Sequence, residues 1–201
     1  MIRSNALPVG GLLLIATCAC LATPGCSDDD SPSCPATPIA QLDANYDPGD
    51  YANVTAGIGY YDRALTFTVQ QTGALHHVEL RLDNYLQPGP LIVDVRRTAN
   101  GVPVQDDRDV IAVTAIAVPD TSSYVSWFTA DLAGSGAQVV AGDVLAIACR
   151  SAGYWNWYGD SNNPNPDSSV YYRSSGAGVY TWTLDTSFEV DFGFRLYVIP
   201  E

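Results

Sequence analysis

The sequence predicts an all-β protein built as a single antiparallel β-sandwich, and three observations support this prediction. Apolar and polar residues alternate with period two along much of the chain, and no 3.6-residue pattern lasts three turns. Turn sequences rich in Gly, Pro and Asn separate the alternating runs at short intervals. Nineteen of the 22 acidic residues are aspartate, which favours turns and disfavours helix interiors.

The strands follow from the alternation, taken in chain order. Alternating runs at residues 65–69, 78–83 and 91–96 predict the first three, and further strands are expected at 109–118, 124–132, 143–150, 154–159, 169–173 and 179–184. The last strand, 188–198, places Phe192, Phe194 and Leu196 on one face and charged residues on the other. Nine or ten short strands of this kind predict two sheets whose aliphatic faces meet inside.

Residues 1–25 predict an export signal. Arg3 precedes an apolar run from Val9 to Ala22 that is too short to span a bilayer, and small residues follow it. Gly25-Cys26 and the acidic run after it resemble the end of a bacterial lipoprotein signal peptide, in which the cysteine receives lipid. The resemblance implies lipidation of Cys26 and anchoring to the membrane of the cell envelope, facing the periplasm or the exterior. Cleavage nearby with free secretion, or use of an earlier cysteine, stays open.

The composition of the chain after residue 25 indicates how it is divided and which partners it excludes. Residues 26–45 are rich in Asp and Pro and are expected to form a flexible tether, leaving 46–201 for the sandwich. The net charge is −13, and the nine basic residues are all arginine. So strong a negative charge argues against nucleic acid as a partner, because nucleic-acid binding depends on Lys and Arg contacts to phosphate.

The order of segments also resembles a known class of surface domain. The residues that carry the resemblance are Thr66–Val69, His77–Leu82, Leu91–Val95, Trp127-Phe128, Val140–Ile147, Trp155–Asp160, Val170–Tyr172 and Asp191–Tyr197. They are similar to the choice-of-anchor β-sandwich domains of bacterial surface proteins. The resemblance implies a jelly-roll-like sandwich outside the cell, with no catalytic residues to transfer. The expected function is therefore a non-enzymatic display or adhesion module, with a glycan or an envelope protein as partner. A purely structural envelope lipoprotein is the first alternative.

Aromatic residues beside an Asn/Asp-rich loop suggest a carbohydrate site. Trp155 and Trp157 share one face of a predicted strand, and Tyr158 lies on the other. With Asp160 and Asn162 they are the candidate ligand-binding residues, since stacking rings and a few hydrogen bonds hold sugars. Packing of both tryptophans in the sandwich core is the alternative.

The sequence contains two groups of side chains of types that bind metals. Asp160, Asn163, Asn165 and Asp167 offer closely spaced oxygen atoms for Ca²⁺, and no other cofactor is expected. The only histidines, His76 and His77, are neighbours in a predicted strand. Neighbours in a regular strand point to opposite faces, so the pair is not expected to bind one metal.

The enzyme alternative is a secreted hydrolase. Gly159-Asp160-Ser161 resembles the nucleophile block of GDSL-type esterases, but no histidine follows Ser161 to act as its base. The Asp-Thr-Ser sequences at 120–122 and 185–187 resemble aspartic-protease turns, and hairpin turns explain them better. No enzymatic activity is expected.

Two interpretations of Cys149 stay open. It forms a disulfide with Cys34, or it is buried as a small apolar side chain.

Overall fold

The computed structural model describes residues 37–42, 54–84, 89–117, 125–160, 167–174, 181–186 and 191–201, without the side chains of residues 41, 42, 54–56, 160 and 191. These residues belong to one compact unit, Ala36–Glu201. They form two antiparallel sheets whose apolar faces meet, which confirms the predicted all-β sandwich. No helix in this part of the chain is long and apolar enough to cross a membrane.

The alternating runs form the strands, and short additional strands extend them. In chain order the described residues contain β1 Ile39–Leu42, β2 Val54–Ile58, β3 Tyr61–Thr68, β4 Gly73–Asn84, β5 Leu91–Ala99, β6 Val102–Pro103, β7 Val110–Ile116, β8 Ser126–Asp131, β9 Gln138–Val139, β10 Val144–Ser151, β11 Trp155–Asp160, β12 Ser169–Ser174, β13 Thr183–Leu184, β14 Asp191–Phe192 and β15 Phe194–Pro200. The prediction of nine or ten strands was too low, because β1, β2, β6 and β9 were not predicted and the last predicted strand is divided into β14 and β15.

The eight-stranded sheet is organised around the long strand β4. One edge of β4 pairs with β8 and β9. The other edge pairs with β15 along most of its length and with β11 at its C-terminal end. Gly193 interrupts the last strand where β14 turns away to pair with β11. The Gly193 amide donates to Tyr158 O at 2.9 Å, and its carbonyl accepts from the Arg81 amide at 3.2 Å. The sheet therefore forks at Gly193 without losing backbone hydrogen bonds there.

The seven-stranded sheet has the order β13-β12-β3-β10-β5, with β6 and β7 both pairing with β5. Side chains of β3, β5 and β10 that face the other sheet include Leu65, Phe67, Val95 and Ile147, all buried. From the facing sheet come the buried residues Val78, Leu80, Leu82, Phe192, Phe194, Leu196 and Val198. The predicted inward faces of these strands are confirmed.

A second, smaller buried layer covers the outer face of the seven-stranded sheet. Trp182 packs there with Ala64, Ala148 and Tyr171. Beneath it Asp94 and Arg96 form a two-point ion pair, with N···O distances of 2.6 and 2.7 Å. Both side chains are almost fully buried. A charged pair so removed from water is tolerated because each partner satisfies the other.

One predicted boundary is wrong. The tether was expected to run from 26 to 45, but Ile39–Leu42 pair in register with Val198–Arg195 as an edge strand of the eight-stranded sheet. The open edge of β15 accepts this segment, whose residues Ile39 and Leu42 carry β-compatible side chains. The folded part therefore begins before residue 46.

Candidate functional site

Trp155 and Trp157 do not form an exposed shelf. Both are 0% exposed, and they point into the sandwich core from β11. The indole N–H of Trp155 donates to Gly89 O at 2.8 Å, and that of Trp157 donates to Gly193 O at 3.1 Å. The prediction that they bind ligand is therefore wrong and the core-packing alternative is confirmed: every polar atom of the two rings is used inside the fold.

Tyr158 lies on the opposite, outer face of β11, where it is partly buried. Its hydroxyl donates to Asp83 Oδ2 at 2.5 Å, and Asn156 donates to Asp83 Oδ1 at 2.9 Å. Burial, and then the Asp83 carboxylate, raise the pKa of Tyr158. The hydroxyl is thus held by a neighbouring strand, and a role of Tyr158 in ligand binding stays a prediction.

Most of the Asn/Asp-rich loop at residues 160–167 lies outside the described residues. The structure does not describe Asn162, Asn163, Asn165 or Ser161, nor the side chain of Asp160, while Asp167 is exposed. The Ca²⁺ and nucleophile hypotheses at this loop stay predictions. Among the described side chains, no group of three or more His, Cys, Asp or Glu stands close enough to enclose a metal ion.

Exposed aromatic surface lies instead at the connection between β2, in the eight-stranded sheet, and β3, in the seven-stranded sheet. Tyr60 is 80% exposed and Tyr61 42% exposed at this junction. Tyr60 meets Tyr154 edge to face with 6.4 Å between ring centroids, and Tyr61 meets Tyr172 in the same way at 5.6 Å. We call these four residues the tyrosine band. In each of its two pairs, the edge of one ring faces the plane of the other.

Glycine residues make the close packing beside the band possible. A Cβ on Gly57 would lie 2.5 Å from the hydroxyl oxygen of Tyr154, and one on Gly59 would lie 2.5 Å from Gly153 O. Gly59 also has a φ of 145°, which side-chain-bearing residues rarely adopt. The Tyr154 ring therefore lies directly on a backbone surface without side chains.

An ion pair stiffens the other end of the band. Arg63 Nη1 lies 2.5 Å from Asp185 Oδ2, and both side chains are largely buried. The Arg63 guanidinium also lies 5.5 Å from the Tyr61 ring centroid and 5.7 Å from that of Tyr172. Asp185 therefore serves here as the ion-pair partner of an arginine, and the aspartic-protease alternative stays a prediction. The other Asp-Thr-Ser sequence lies outside the described residues.

The sequence did not predict the tyrosine band. Tyr154 directly precedes the candidate residue Trp155, but none of the four tyrosines is among the predicted ligand-binding residues. The available signal was the sequence Gly59-Tyr60-Tyr61, in which two large rings follow a glycine at a strand junction. Successive residues of an extended segment point to opposite faces, so at most one of the two rings is expected to enter the core.

The outer face of the eight-stranded sheet carries a second polar and aromatic cluster. Arg195 pairs with Glu79 at 3.0 Å, and its guanidinium lies 4.0 Å from the ring centroid of Trp127. Tyr197 donates to the same Glu79 oxygen at 3.1 Å. Because Arg195 lies over the Trp127 ring, this tryptophan is less accessible to a ligand than the tyrosine band.

The two histidines depart from the predicted geometry. His77 pairs with Tyr197 and Leu75 pairs with Val198, so His76 is an extra residue, a β-bulge in β4. A bulge turns two successive side chains to the same side of a strand. The Nδ1 atoms of His76 and His77 accordingly lie 2.7 Å apart, and the expectation that the rings point to opposite faces is wrong.

The histidine rings are held by their surroundings. His77 stacks on Tyr197 with 3.9 Å between ring centroids and an angle of 13°. Burial and the neighbouring His76 lower the pKa of His77, while Glu79 and Asp131 act in the opposite direction. Asp131 lies directly across from His77 on β8.

Cys149 is a buried free thiol at 0% exposure, which confirms the small-apolar interpretation. Cys34, the other residue of the disulfide alternative, lies outside the described residues. Burial, and then the negative charges of Asp94 and Asp62, raise the pKa of the Cys149 thiol well above its ordinary value. Such a thiol is a poor nucleophile.

A cleft of about 480 Å³ lies between the edge strand β7 and the segment after β8. It is lined by Val110–Thr114 and by Asp131, Leu132, Gly134 and Ser135. The lining contains no aromatic ring, and its one acidic side chain already accepts a hydrogen bond from the Ala133 amide at 3.0 Å. The cleft is therefore a weaker candidate for sugar binding than the tyrosine band.

Comparison with known proteins identifies no family for this chain. No protein-family model matches the sequence, and a search of curated proteins finds no match. Among solved structures the chain is similar to the crystal structure of the cysteine protease and lectin-like domains of Cwp84, a surface layer associated protein of Clostridium difficile, with a TM-score of 0.49 and 11% identity. The match covers 73% of this chain and 36% of that chain. A likeness at this level carries no argument about function.

Proposed function

We propose that the chain is a non-enzymatic binding module of the cell envelope that holds carbohydrate on its tyrosine band. The observation that carries the proposal is the exposure of Tyr60 and Tyr61, at 80% and 42%, beside two further tyrosine rings. Large exposed aromatic rings in one place mark interaction sites, because soluble proteins rarely leave such surface open without use.

Carbohydrate suits this surface for physical reasons. The C–H faces of a sugar ring stack on aromatic rings, while tyrosine hydroxyls can bond to its hydroxyl groups. Tyr61 and Tyr172 are held by their edge contact and by the buried Arg63 beside them, so ordering these two rings on binding costs little entropy. The net charge of −13 favours neutral glycans over anionic polymers.

The test is an array of neutral glycans, probed with the wild-type full chain and with its Tyr60→Ala and Tyr61→Ala variants. We expect binding by the wild-type chain and a loss of at least about fivefold in affinity in each variant. Val113→Ala is the matched control, because Val113 is exposed and lies on β7 at the far edge of the seven-stranded sheet. Unchanged melting temperatures would show that the variants fold.

Three outcomes would overturn the proposal. A silent array would favour the structural envelope lipoprotein, and full affinity in both tyrosine variants would place the glycan elsewhere. Ester hydrolysis that disappears in Ser161→Ala would favour the hydrolase alternative.

Anchoring is tested separately. We propose that lipid on Cys26 attaches the module to the envelope membrane. Radiolabelled palmitate should then enter the protein in bacteria expressing it, the label should be lost in Cys26→Ser, and it should be kept in Cys34→Ser. Equal labelling of both variants would contradict lipidation at Cys26.

A further inference from the structure

We propose that His76 and His77 form a two-nitrogen binding site for a divalent transition metal, with Cu²⁺ as the preferred ion. The proposal rests on the bulge in β4, which brings consecutive imidazole rings to the same side of the strand and their Nδ1 atoms to 2.7 Å. It is independent of the tyrosine band, which lies elsewhere on the sandwich.

The separation of the two nitrogens, which the hydrogen bond between the rings sets in the metal-free chain, can be compared with that of bound ligands. With metal–nitrogen bonds of about 2.0 Å, neighbouring ligands of a square-planar ion lie about 2.8 Å apart, and those of a tetrahedral ion lie about 3.3 Å apart. The observed 2.7 Å is close to the first value. Square-planar or tetragonal coordination by nitrogen and oxygen is typical of Cu²⁺ and Ni²⁺, and Cu²⁺ binds most tightly in the divalent series.

Both histidines are partly exposed, so an ion can reach them from solvent. His77 is held against Tyr197, so His76 is the ring that turns to direct its lone pair at the metal. Water completes the coordination, and the negative charge of Asp131 lies across the strand pair from His77.

Binding of the ion requires one proton to move within a histidine ring. Without metal, one ring donates its Nδ1–H to the Nδ1 of the other. For both Nδ1 atoms to bind the ion, that proton moves to the Nε2 atom of the same ring. Both rings stay neutral, so metal binding to the neutral pair releases no proton and involves no oxidation or reduction.

The sequence makes the test unusually specific, since the chain contains only these two histidines. Cu²⁺ is added to the full chain, and pulsed electron paramagnetic resonance counts the imidazoles bound to the ion. We expect two imidazoles in the wild-type chain and one in each of His76→Ala and His77→Ala. Isothermal titration should show the dissociation constant rising by roughly a hundredfold in each variant, because the second ligand no longer binds intramolecularly.

Thr129→Ala is the matched control, since Thr129 lies opposite Glu79 on the same outer face. It should keep both imidazoles and the wild-type affinity. A wild-type signal from no imidazole or from one, or unchanged affinity in the histidine variants, would overturn the proposal. Copper bound only through the amino terminus or a thiol would give no imidazole signal and would count against it.

Discussion

Replacing Trp157 with alanine tests whether this residue belongs to the core or to a ligand surface. The side chain is fully buried, stacks on Phe192 with 4.9 Å between ring centroids, and donates to Gly193 O. Removing a buried aromatic side chain costs about 3–5 kcal/mol of unfolding free energy, because the cavity left behind closes only in part. For a domain of this size, about 2–4 °C is lost per kcal/mol, so the melting temperature should fall by roughly 6–20 °C.

The assay is thermal and urea unfolding of the full chain followed by circular dichroism. Trp157→Phe keeps most of the ring volume but loses the N–H donor, so it should cost less, about 1–3 kcal/mol. Tyr60→Ala serves as the surface control and should stay within about 0.5 kcal/mol of the wild type. A Trp157→Ala variant as stable as Tyr60→Ala would refute the placement of Trp157 in the core.

Three further outcomes follow from the buried polar groups. Asp94→Asn should destabilise the fold by about 3–5 kcal/mol in urea unfolding, because it leaves the buried Arg96 without its charge partner; a loss below 1 kcal/mol would contradict the ion pair. The raised pKa of Tyr158 means that the unfolded chain ionises first as pH rises above the ordinary value of 10. Stability should therefore decline above about pH 10, less steeply in Tyr158→Phe, and identical slopes would argue against the bond to Asp83. Cys149 should resist iodoacetamide at pH 8 in the native protein and react once urea unfolds it, as mass spectrometry would show; rapid native labelling would contradict its burial.

Period-two alternation was sufficient to predict most of the longer strands and most of their inward faces, but not β1 or β2. Phe192, Phe194 and Leu196 alternate with polar or small residues, so their burial follows from the pattern alone. Alternation on β11 also showed that Trp155 and Trp157 share a face. It could not decide which face was buried, because aromatic side chains occur on both sides of that strand.

The local irregularities could not be predicted from the pattern. The bulge at His76 depends on how β4 pairs with the distant strand β15, and the sequence near His76 carries no signal for it. The position of the tyrosine band depends on the crossing of β2 to β3, which brings together rings separated by more than a hundred residues. Such features arise from tertiary pairing rather than from local preference.

The most direct test of the binding proposal is nuclear magnetic resonance of the chain with isotope-labelled tyrosine rings, titrated with the neutral glycan that binds best on the array. We predict that the ring signals of Tyr60, Tyr61, Tyr154 and Tyr172 shift together in proportion to the fraction bound. Shifts confined to Tyr158 and Tyr197 on the outer face of the eight-stranded sheet, with the four band signals unmoved, would contradict the proposal.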